Sequence, residues 1–255
     1  MWLAHHGIKG QEWGVRNGPP YPLEDGQKSK NYYADYTTKG HLFCDSVLKA
    51  GTNFKRVQVG NQFEQYEFYA THKHNDTEYF AKNFSKNLIN RGQDKNNIYQ
   101  LKLKTNKDLR IPSVTKASNI VADKMLRDPQ TREDMKFVLY NSAKLMAKNK
   151  DLKRIYSDAY NSLVKTPVNK MTDNQKRGIY TALNLSLVIH NNDKFTRTHA
   201  KMYDAFRREG YGALLDINDT YYSTLRGKHP VIVFDLSGIE HTSSKKYNAD
   251  TERFE

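Results

Sequence analysis

A single cysteine, Cys44, in 255 residues excludes an internal disulfide framework, so the fold rests on packing and Cys44 reads as a small buried hydrophobe rather than a nucleophile. There is no long apolar run, and the mean hydropathy of -0.86 leaves no membrane span or membrane anchor to expect. Met1 to Ala4 is too short and too poorly charged to open a secretory signal, which points to a protein that stays in the cytoplasm that makes it. The chain has no Gly-rich phosphate loop, no dinucleotide fingerprint and no Ser-His-Asp or Cys-His spacing, so kinase and hydrolase readings have no foothold. The pair His5-His6 lacks a Cys or carboxylate at ligand spacing, and no metal is expected. Acidic residues are also scarce beside basic ones, 28 against 41, giving a net charge of +13. That field attracts phosphates, nucleic acid or an acidic protein. The basic residues form no run of five or six, so a solvated basic surface is favoured over a nucleic-acid-binding arm.

What is present divides the chain into a tag with its linker over residues 1–30 and one α+β domain over residues 31–255. The first part is rich in Gly and Pro, polar and without periodicity. Strands are expected at Asn53 to Val59 and Glu64 to Thr71, paired as a hairpin through Gly60-Asn61. Asn75 with Glu78 resembles a capping box for a helix from about Asp76 to Asn90, closed by Gly92. Tyr99, Leu101 and Leu103 alternate with Gln100, Lys102 and Lys104, as in a strand with one buried face.

A helical insertion is expected over about residues 113–209, where apolar residues recur every three or four. Asp128-Pro129 supplies an N-cap and first-turn proline ahead of Met135, Val138, Leu139, Ser142, Leu145 and Met146. Thr172 and Gln175 form a capping-box pattern before Ile179, Leu183 and Leu187. Phe195, His199, Met202 and Phe206 line a last helix that Gly210 should end, with His199 a satisfied core histidine rather than a catalyst. Strands return at Ala213 to Ile217 and Val231 to Phe234, the second a continuous apolar run suited to an interior strand. The polar tail from Lys245 to Glu255 is expected to fray.

The stretch from His5 to Arg16, followed by Asn17-Gly-Pro-Pro-Tyr-Pro22, is dense in special residues and has no helical or strand period. It reads as a recognition segment, with glycines for close backbone approach, prolines for stiffness and Trp13 as an anchor. It resembles a short motif, His-His-Gly-Ile-Lys-Gly-x-x-Trp-Gly-x-Arg, that recurs near the ends of structural and head-associated proteins of tailed bacteriophages and prophages. The resemblance implies His5, His6, Trp13 and Arg16 as partner-binding residues, a phage structural protein as partner, and localisation in the virion and the host cytoplasm.

Arg56 on one strand, Thr71 on the next, a helix, a strand, helices, then Gly210-Tyr211-Gly212 and two late strands make an order that resembles the ADP-ribosyltransferase fold from about Phe54 to Ile239. The resemblance implies a mixed sheet core with an inserted helical subdomain. It further implies NAD as substrate, with Arg56, Tyr69 and Thr71 binding it and a host macromolecule as target. In that family a glutamate near a late strand supports the transition state; here Lys228-His229-Pro230 precedes the strand, and the nearest upstream acids are Asp216 and Asp219. Arg56, Thr71, Asp216 and Asp219 are therefore the candidate catalytic residues. Arg56 and Thr71 are equally explicable as ordinary strand residues, and Asp216-Ile-Asn-Asp219 as a turn. The alternative is a catalytically silent structural or anti-defence binding protein.

Overall fold

The computed structural model describes residues 45–61, 63, 68–70, 77–78, 81–83, 85–86, 97–189, 192–218 and 231–255, with only the backbone of 68–70. Nine strands are present among them: β1 Ser46–Leu48, β2 Asn53–Val59, β3 Phe68–Ala70, β4 Ile98–Thr105, β5 Leu109–Ile111, β6 Ala213–Leu215, β7 Val231–Val233, β8 Ile239–Asn248 and β9 Arg253–Phe254. Five α-helices, α1 Val114–Lys124, α2 Pro129–Leu145, α3 Lys150–Lys165, α4 Asp173–Ser186 and α5 Asp193–Arg208, lie between β5 and β6. The protein is thus α+β, as expected, with helices where the 3.6-residue period runs and strands where it stops.

The sheet is curled and assembled from short ladders. β2, β4, β8 and β9 follow one another, β7 lies between β3 and β6, and β1 pairs with β5. Every described ladder is antiparallel, which corrects the expected mixed sheet. Among the described residues the expected hairpin of β2 with β3 is not formed, the turn-side residues 62 and 64–67 lying outside them. β2 zips to β4 over its whole length, from Asn53↔Lys104 to Val59↔Ile98, and β3 pairs with the apolar β7 instead. β7 is interior, as its apolar run requires. The tail does not fray: β8 runs to Asn248 along β4 with a bulge opposite Lys102/Leu103, and β9 returns beside it. Tyr247 is 2% exposed and closes a small core with Ala81, one of the helical residues 81–83, and Ile98.

The helical insertion leaves the sheet after β5 and re-enters beside it. Gly212 N–H donates to the Arg110 carbonyl at 3.0 Å, and Phe234 N–H to the Gly212 carbonyl at 3.1 Å. A Cβ on Gly212 would stand 2.9 Å from Leu109 Cδ2 and 3.0 Å from Asp235 Cβ, so only glycine fits this re-entry without movement. Gly210, at φ +78°, ends α5 as expected. Asp128 caps α2, and Thr172 with Gln175 closes a capping box on α4. Met135, Val138, Leu139 and Ser142 are buried on α2, whereas Leu145, at the helix end, is exposed. Leu214, Leu215, Ile217, Ile232 and Phe234 belong to the same core cluster as the helices, so the insertion and the sheet share one interior.

Candidate functional site

Arg56 sits in the middle of β2, directly opposite Leu101 of β4. Successive strand residues alternate faces, so Arg56 shares its face with Phe54. Phe54 packs with Leu101, Leu103, Val231 and Val233, and Arg56 therefore emerges on the side of β2 that looks toward β7. Arg56 is half-buried as a residue, and its Nη1 is withdrawn from solvent. Lys55 and Val57 take the opposite face, where burial and the neighbouring Lys102 hold the Lys55 amine below its usual pKa.

Asp216 directly follows β6 and is 2% exposed. In the sheet Tyr69 of β3 lies opposite Ile232 of β7, which lies opposite Leu214 of β6; Ala70, Val231 and Leu215 make the next row. Asp216 thus stands at the end of the sheet where β3 ends, and β3 itself lies against β2. Tyr69 lies on β3, which adjoins the strand bearing Arg56 on one side and leads through β7 to β6 and the buried Asp216 on the other. Thr71 and Asp219, together with Lys228-His229-Pro230, lie outside the described residues, as do His5, His6, Trp13 and Arg16.

The sequence reading missed Asn184. From α4 it brackets Asp216: its Nδ2 donates to the Leu215 carbonyl at 2.9 Å, and its Oδ1 accepts from Ile217 N–H at 3.1 Å. Asn184 is 1% exposed, and its Nδ2 also lies 3.4 Å from the Tyr180 hydroxyl, whose pKa burial pushes well above the usual phenol value. A polar side chain inside the run Ala-Leu-Asn-Leu-Ser-Leu was the available signal, because a buried amide must find backbone or side-chain partners. The bracket fixes the chain on both sides of Asp216.

Tyr211, in the chain returning from α5, ties that chain to the segment before β1. Its hydroxyl donates to Asp45 Oδ2 at 2.5 Å, while Asp45 Oδ1 accepts Ser113 N–H at 2.8 Å and Arg110 lies over the Tyr211 ring at 4.6 Å. His199 is a core residue, as expected, 6% exposed with Nε2 3.2 Å from Ser186 Oγ. Among the described residues, no group of three or more His, Cys, Asp or Glu is gathered to hold a metal. In general a guanidinium can grip a phosphate, and a carboxylate can face developing positive charge. No protein-family model, no curated protein and no solved structure matches this chain.

Proposed function

We propose that this chain is an ADP-ribosyltransferase-like protein that cleaves NAD and modifies a host macromolecule, carried with a phage particle to which its N-terminal segment addresses it. The observation that carries the catalytic half is the placement of buried Asp216 beyond β6, in the sheet whose other flank, β3, adjoins the strand of Arg56. Breaking the nicotinamide bond develops oxocarbenium character on the ribose. Asp216 holds a ribose hydroxyl as that charge grows, and the Arg56 fork grips the pyrophosphate. Tyr69 and Thr71 line the nicotinamide side, and Asp219 is the second carboxylate on offer.

Labelled NAD with host lysate tests this. The wild-type protein transfers label to a host component, and Arg56→Lys, which keeps the charge but loses the fork, does not. Equal transfer by both proteins removes Arg56 from the mechanism. Lys228-His229-Pro230, where the family has its glutamate, favours the second reading, a silent domain retained as a structural or anti-defence binding module. In that case millimolar NAD leaves the melting temperature unchanged.

The addressing half rests on the segment from His5 to Arg16. Removing residues 1–30 leaves a folded domain of unchanged stability that no longer co-sediments with assembled phage heads, and Trp13→Ala behaves alike. Equal retention of full-length, truncated and Trp13→Ala proteins overturns the docking role. A lowered melting temperature on truncation shows instead that the segment packs on its own domain.

A further inference from the structure

The helical insertion contains a groove of about 400 Å³ between α2 and α3. It exists because the residues facing each other across the two helices are small. Ala143 on α2, Ala147 just beyond its end and Ser157 on α3 leave space that larger side chains would fill. Tyr140 and Tyr160 form an aromatic wall, with ring centroids 5.6 Å apart at 44°. Tyr140 is 46% exposed, so part of its ring is open to solvent at the groove. Lys144 places Nζ 4.3 Å from the Tyr140 ring centre, and Lys153 joins the lining from α3. No carboxylate lines the groove, and the nearby Asp151 faces Arg154 at 3.8 Å.

We infer that this groove is a second ligand site, for a nucleoside monophosphate. The volume matches one small molecule rather than a helix or an extended peptide. Two lysines without an opposing acid match the charge of a phosphate monoester, close to a dianion at neutral pH. The ring surface of Tyr140 and Tyr160 not covered by Lys144 or by each other offers stacking that any base satisfies. The site stands on α2 and α3, apart from Arg56 on β2, and goes beyond the NAD reading without depending on it.

Calorimetric titration of the full chain with AMP, adenosine and inorganic phosphate tests the inference, with tyrosine-ring NMR shifts as a second readout. AMP binds saturably and moves the Tyr140 and Tyr160 signals, while adenosine and phosphate each bind at least about tenfold more weakly, because each retains only the stacking or only the charge-assisted contacts. The double variant K144Q/K153Q weakens AMP by at least about tenfold. Its melting temperature is unchanged, since both lysines are exposed. Arg56→Lys leaves AMP binding as it was, which separates this site from the proposed NAD site. No heat or ring shift at millimolar AMP overturns the inference, as does AMP binding that survives K144Q/K153Q or that adenosine equals.

Discussion

Asn184 holds the main chain on both sides of Asp216 with one side chain, in a setting where neither the Leu215 carbonyl nor the Ile217 amide has access to water. Asn184→Leu keeps the volume and removes both bonds. It should cost about 2 to 4 kcal/mol in urea unfolding, the penalty of leaving two buried backbone groups unsatisfied. A loss under about 1 kcal/mol would mean that the backbone finds other partners. Asp128, the N-cap of α2, offers a pH test. Its carboxylate accepts the Thr131 hydroxyl and the Thr131 N–H, and these bonds hold its pKa below the usual carboxylate value. Since the folded value lies below the unfolded one, the charge-dependent stabilisation is full above about pH 4 and fades as the pH falls through the depressed value. The melting temperature of the wild type should exceed that of Asp128→Asn at pH 6 and converge with it near pH 2. An advantage unchanged at pH 2 would assign the cap's effect to shape alone. Asp128 was visible in the sequence because a cap is a local device; the partners of Asn184 were not, because they lie more than thirty residues away.

At the scale of elements, the same division between local and distant determinants recurs. Capping chemistry and the apolar period marked the helices, and the helix-ending glycine stood where expected. Strand pairing was not legible. β2 and β3 are neighbours in sequence, but β2 pairs with β4 and β3 with β7, because each ladder is chosen by the faces it buries rather than by the nearest turn. β8 escaped notice for a related reason. Its ten residues carry one buried side chain, Tyr247, and the strand is held by backbone bonds to β4, which leave no hydrophobic period. Tyr247 packs with Ala81 and Ile98, and its ring lies 5.3 Å from Phe254. Tyr247→Ala should therefore cost about 3 kcal/mol in chemical denaturation, a large-to-small change in a closed core. A cost below about 1 kcal/mol would return the tail to the frayed state its composition suggests.

For the whole molecule, the shared interior of helices and sheet gives the candidate site its support. Asp216 follows a strand whose side chains pack into the helical core, and Asn184 bonds the backbone on both sides of it from that core, so the insertion fixes the position of Asp216 as well as enlarging the domain. The positions of Arg56 and Asp216 were legible in the sequence as an order of elements. The path from Asp216 back toward the strand of Arg56 runs through the ladder β6–β7–β3, which no local pattern specifies. The proposed NAD chemistry rests on that placement. Nicotinamide release from NAD, followed for the full chain beside Asp216→Asn and Arg56→Lys, tests it most directly. The account predicts release by the wild type and its loss in both variants while each remains folded. Absence of release by the wild type, with no thermal stabilisation by millimolar NAD, would contradict it.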